Sequence, residues 1–210
     1  MLCKTDRRRM ENATVKILAL GGQGVLIPGA MILTAGHCID YKVTGAMVLG
    51  DYFIEEIHTQ RGAIKASVFA VEPCADAAIL GSPDDQEMTE EAERFKEFCE
   101  ATKAIRLCTA DFPLFEVVPI HLLTHHGEWM TGEARQCQEQ AKALAIRFDR
   151  QIETGTSGGP IVNDAGELVA ILSNCCANGL SVDNAQPRPH LALPVWAVRR
   201  IESCQRATPA

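Results

Sequence analysis

TGTSGGPIVN, residues Thr154 to Asn163, sets a serine among three glycines and then runs into β-branched residues. A serine flanked in this way fits two unrelated templates for a nucleophile. Read as Gly155-x-Ser157-x-Gly159, it is a sharp elbow that leads from a strand into a helix; read as Gly-x-Ser-Gly-Gly-Pro, it is a loop between two strands. The residues after Ser157 decide between them. Gly158-Gly159-Pro160 leads to Ile161-Val162, then to the turn-forming Asn163-Asp164-Ala165-Gly166, then to the apolar run ELVAILS. That is the pattern of a hairpin and not of a helix start.

The elbow template also requires strands alternating with helices around a parallel sheet, a texture absent here, although Ser157, Asp183 and His190 supply its residue order. From Ala13 to Leu80 the chain instead offers short β-rich runs broken by glycine, including TVKILAL, GVLI, AMILTA and IKASVFAV. Ser82 to Lys103 is acidic and rich in helix formers, with Met88, Ala92, Phe95 and Cys99 at helical intervals. Strand-like runs return in AIRLC, FEVVPIHLL, ALAIRF, PIVN and HLALPV, and WAVRRIESC has the apolar spacing of a closing helix. The expected division is an N-terminal tail over 1–12, a first β-unit over 13–83, a helical linker over 84–104, and a second β-unit with a C-terminal helix over 105–210.

Upstream of the serine, a strand-like run leads into His37 in MILTAGHCID, and Asp76-Ala77-Ala78-Ile79-Leu80 lies between the two. These three stretches, in the order histidine, aspartate, serine, resemble the motifs of the chymotrypsin/trypsin-like serine protease family. Within it the chain is similar to the compact bacterial trypsin-like proteases of the high-temperature-requirement type, without a PDZ domain. The resemblance covers roughly residues 13–201. It implies an all-β fold of two antiparallel β-barrels with the site in the cleft between them. It also implies a serine endopeptidase acting on protein or peptide substrates. Ser157 would be the nucleophile, His37 its base and Asp76 the residue that orients His37, with the N–H groups of Gly155 and Ser157 as the oxyanion hole. Asp51 competes for the aspartate role but sits in a Gly-Asp turn close after His37. A catalytically silent protease-fold module that binds peptides or a partner in its cleft is the alternative reading.

By the same resemblance Gln151 falls at the base of the primary specificity pocket, and Leu172, Ser173, Asn174 and Cys175 form the edge along which an extended substrate pairs. Gln151 is uncharged, so cleavage after small or medium uncharged residues is expected, with Glu153 as the nearby carboxylate that could change this. Two departures from the family stand out. Cys38 has no cysteine between Cys3 and itself to pair with, and the residue before Ser157 is the neutral Thr156, where members activated by cleavage carry an aspartate for the new amine. Activity without zymogen cleavage is the expectation.

The 210 residues are 47% hydrophobic, enough to bury one large core or two small ones. A net charge of −7 argues against a nucleic-acid partner, and the one basic run, Arg7-Arg8-Arg9, reads as part of a solvated terminus. No apolar leader or membrane-length segment is present, so a cytoplasmic protein with no membrane partner is expected. Nine cysteines at irregular spacing read as reduced, mostly buried thiols. His121, His125 and His126 with Glu128 nearby lack a standard ligand motif, and Cys175-Cys176 has no partner pair, so neither a metal nor a cofactor is assigned.

Overall fold

The structure, a computed structural model, describes residues 2–39, 53–72, 76–108, 110, 115–136, 143–173 and 189–191. The glycine-punctuated first half gives six strands: β1 Thr14–Ile17, β2 Gly22–Ile27, β3 Met31–Ala35, β4 Phe53–Thr59, β5 Gly62–Glu72 and β6 Ala77–Gly81. They close into a barrel in the order β1-β2-β3-β6-β5-β4. Every residue of β3 and of β6 is buried, as expected for strands with the barrel interior on one side and packed chain on the other. Ala35 pairs with Ala77, so the short 3-10 turn Gly36–Cys38 after β3 and Asp76 before β6 share one barrel rim.

The second half gives β7 Val117–Leu123, β8 Trp129–Gln136, β9 Ala143–Phe148, β10 Pro160–Val162, β11 Leu168–Ile171 and β12 Pro189–Leu191, in sheet order β11-β10-β7-β8-β9-β12. The hairpin read from Asn163 to Gly166 joins β10 to β11, with the Asn163 side chain accepting from the N–H groups of Ala165 and Glu167, both at 3.0 Å. This is the second of the two expected β-barrels; among the described residues it is a curled six-stranded sheet with no ladder between β11 and β12. The outer edge of β11 is not left bare. Incoming chain occupies it: Leu168 N–H donates to Arg106 O at 2.7 Å and Cys108 N–H to Leu168 O at 2.8 Å.

That incoming chain is the end of the connection between the halves. Its helix, α2 Thr89–Ala101, buries Ala92, Phe95 and Phe98, a stripe with i, i+3 spacing, while Cys99 is only partly buried and Met88 precedes the helix. Past α2, Ile105 N–H donates to Leu26 O of β2 at 2.9 Å, so one short segment is bonded to both halves. Val162, Leu168 and Ile171 join the apolar core of the first barrel, while Ile161, Ala170 and Leu172 join that of the second sheet. The β10–β11 hairpin thus packs into both cores.

The stretch expected to be a tail is a docked helix, α1 Lys4–Ala13. Its polar sequence hides two buried apolar residues, Met10 and Ala13, and Leu2 just before the helix adds a third, all in the first core. Two of its charged side chains reach the second half: Arg9 Nη2 donates to Gly166 O at 3.3 Å, and Glu11 Oε1 accepts from the Trp129 indole N–H at 2.9 Å. A helix with so thin an apolar face is held by tertiary contacts and not by its own propensity. Met10→Ala is expected to lower unfolding free energy by about 2–5 kcal/mol, the range for emptying a fully buried site, whereas Arg8→Ala at an exposed position should stay within about 0.5 kcal/mol. Urea titration of both variants checks this; equal, small effects would return residues 1–12 to the status of a tail.

Candidate active site

Asp76 adopts a left-handed backbone conformation, φ 49°, which aspartate tolerates better than most residues. This turn aims its carboxylate back at the rim of β3. Oδ1 accepts from the His37 backbone N–H at 2.9 Å, and Oδ2 lies 2.8 Å from His37 Nδ1. The Asp76 carbonyl accepts from Gly36 N–H at 2.8 Å as well, so the backbone around His37 is fixed before its ring is. From the other half of the molecule, the Ser173 hydroxyl donates to the same Oδ2.

Hydrogen bonding to Asp76, helped by the Cys38 sulfur beside the ring, raises the His37 pKa from 6.5 to about 10. Burial pushes the Asp76 carboxyl upward, but the hydrogen bonds from His37 and Ser173 outweigh it and hold the group below its ordinary value. The pair is therefore an ionised carboxylate and a histidine that binds its proton tightly.

The loop carrying Ser157 is pressed against the first barrel. Ser157 O accepts from Gln23 N–H of β2 at 2.7 Å, Gly158 N–H donates to Leu172 O at 2.6 Å, and Leu172 N–H donates to Gly159 O at 2.9 Å. Gly158 has φ 77°, and a Cβ there would sit 1.9 Å from Gln23 O, so no side chain fits. Thr156 N–H turns inward to Glu153 O at 3.3 Å, while the N–H groups of Gly155 and Ser157, the two expected in an oxyanion hole, donate to no described residue. The Ser157 hydroxyl makes no hydrogen bond to His37 in this structure. His37 and Asp76 are joined; Ser157 is placed by its backbone.

The expected specificity residues divide. Gln151 is exposed, and Asn174 and Cys175 lie outside the described residues, as do Asp51 and Asp183. Leu172 is corrected: its side chain is fully buried in the second core and its N–H is taken by Gly159, so it has no donor left for a substrate strand. Ser173, expected as part of the substrate edge, has a side chain that partners Asp76, which no local sequence pattern signals. Glu153 is drawn to His126, with Oε2 3.0 Å from Nε2. The buried Thr156 has a partner the sequence does not suggest either, its Oγ1 lying 3.1 Å from His125 Nδ1. Glu128 pairs with Arg150 at 3.0 Å and His121 with Asp164 at 2.9 Å, so these two are drawn to separate partners, away from His125 and His126. The four described cysteines, Cys3, Cys38, Cys99 and Cys108, are free thiols.

A closed barrel beside a curled antiparallel sheet, with a histidine–aspartate pair and a glycine-lined serine loop between them, defines a double-barrel protein of the chymotrypsin type. The model of the trypsin-like peptidase domain matches residues 22–171, and the chain belongs to that family. Among solved structures it is similar to the Rv3671c protease from M. tuberculosis in its active form, with a TM-score of 0.56 at 16% identity over 97% of this chain and 85% of that one. It is likewise similar to the serine endoprotease from Yersinia pestis, with a TM-score of 0.57 at 20% identity over 99% of this chain and 68% of that one. No curated protein matches the sequence.

The raised pKa has a definite sign. Stabilisation from the charged pair is fully present below the ordinary histidine value of 6.5 and is lost as pH rises through about 10. Following the His37 ring protons by NMR should therefore show titration on the alkaline side of 6.5, and Asp76→Asn should move it toward or below that value. An unchanged midpoint in the variant would remove Asp76 as the cause.

Proposed function

We propose that this chain is a serine endopeptidase in which His37, Asp76 and Ser157 act together. His37 Nε2 takes the Ser157 proton as Oγ attacks the carbonyl carbon of a peptide bond. The carbonyl oxygen then carries the negative charge of the tetrahedral intermediate, and the N–H groups of Gly155 and Ser157 stabilise it. Collapse breaks the C–N bond, His37 gives its proton to the departing amine, and water repeats the sequence on the acyl-enzyme ester. With its pKa raised to about 10, His37 acts as base only in its neutral fraction, which grows as pH rises; in that form Asp76 keeps the ring proton on Nδ1 and leaves the Nε2 lone pair free.

The observation that carries this reading is the hold of Asp76 on both the ring and the backbone N–H of His37. A histidine that merely ended a strand would need neither. The N–H groups of Gly155 and Ser157, which have no partner among the described residues, support it further. The absence of a bond from Ser157 to His37 is compatible with it, since such bonds lengthen without substrate and tighten when it binds. Glu153 is engaged with His126 and Gln151 is neutral, which favours substrates with an uncharged residue before the cleaved bond.

A fluorophosphonate probe should label Ser157 in the native protein and fail to label Ser157→Ala, His37→Ala or heat-denatured protein, because only an activated serine attacks it quickly. Asp76→Asn should cost on the order of 10⁴ in turnover of a peptide substrate. A peptide library offered to the same enzyme should be cut after uncharged residues. An intact, folded protein that takes up no probe would favour the silent binding module.

A further inference from the structure

The sequence assigned no metal, and the histidine grouping it considered does not form, but the fold assembles a different trio. His125 and His126 stand on the β7–β8 loop and Glu153 on the segment leading to Ser157, and one donor atom from each lies within 4.8 Å of the other two. Two of those donors, His126 Nε2 and Glu153 Oε2, are already 3.0 Å apart. The two imidazoles are stacked obliquely, with centroids 3.7 Å apart and planes at 42°. A tetrahedral ion bound at about 2.0–2.2 Å separates its ligands by about 3.3–3.6 Å, so closing the trio around one ion needs a movement of about an ångström, within reach of the exposed His126 and Glu153 side chains.

We propose that His125, His126 and Glu153 form a site for a divalent transition cation, Zn²⁺ by the character of its donors, that ties the β7–β8 loop to the loop carrying Ser157. Two imidazoles and one carboxylate are a donor set that leaves a fourth tetrahedral position for water. The second shell is present: Thr156 Oγ1 lies 3.1 Å from His125 Nδ1, which fixes the ring and leaves Nε2 as the donor. The two histidines also line a cavity of about 510 Å³ beside β1 and the β4–β5 turn. Gln23, only 3% exposed, lines it too. Because Thr156 directly precedes Ser157 and a Cβ placed on Gly155 would lie 3.5 Å from the His125 ring, a bound ion would hold the stretch of chain that leads into Ser157.

The test is a Co²⁺ titration of the reduced full-length chain, followed by the visible bands of the ion. One Co²⁺ per chain, displaced by Zn²⁺, is expected. His126→Ala and Glu153→Gln, at side chains 62% and 66% exposed, should each weaken binding by about tenfold or more with the fold intact. His58→Ala, which lines the same cavity outside the trio, should leave the affinity unchanged. Ser157→Ala should bind equally well, so loss of the proposed hydrolytic function would not disturb the result. Absence of the bands, affinity unaltered in both ligand variants, or a thiolate-to-cobalt charge-transfer band placing the ion on cysteine would each overturn the site.

Discussion

Asp76 is the point on which both halves of the molecule converge. Its carboxylate is partly withdrawn from water, a costly state for a charge, and the cost is offset by donors that arrive from different parts of the chain. His37 supplies two of them from the end of β3, and Ser173 supplies the third from just beyond β11. The left-handed backbone at Asp76 costs on the order of 1–3 kcal/mol and persists only because these bonds, together with the Gly36 to Asp76 backbone bond, over-determine it. Ordering His37 therefore depends on the second half being docked, and the first half is not a self-sufficient bearer of the site.

The serine loop depends on the same docking. Its backbone is held by Gln23 from the first barrel and by Leu172 from the second sheet. The close approach of Gly158 to Gln23 O leaves no slack between the two. Residues 105–108 bridge β2 to β11, α1 reaches from the first core to Trp129 and Gly166, and the β10–β11 hairpin packs into both cores. The cleft is thus set by contacts distributed along its length, which hold the His37–Asp76 pair on one half and the Ser157 loop on the other.

The sequence was legible where chemistry forces residue type onto a fixed backbone. The run from Ile161 through the turn at Asn163 to Gly166 announced a hairpin, and MILTAGHCID announced a strand ending at a histidine, because strand burial and turn geometry restrict what can stand there. It was illegible where the partner is remote. Ser173 looks like any serine at a strand end until Asp76 is placed against it, and Leu172 looks like a substrate edge until Gly158 and Gly159 take up its backbone groups. The polar α1 betrayed no core contact, since Met10 and Ala13 are too few to make a periodic stripe. Glu153, not Glu128, joins the histidines because the serine loop folds back on the β7–β8 turn, which spacing along the chain does not encode.

The proposed role of His37 as base requires above all that Asp76 fix its tautomer, since only a neutral ring protonated on Nδ1 would present a free Nε2 to Ser157. Nitrogen NMR of the His37 ring, labelled with ¹⁵N and recorded above its own pKa, reads this directly. The native protein should show a neutral ring carrying its proton on Nδ1, and that single tautomer should be lost when Asp76 is replaced by Asn. A native ring protonated on Nε2, or one averaging between the two forms, would contradict the role given to Asp76.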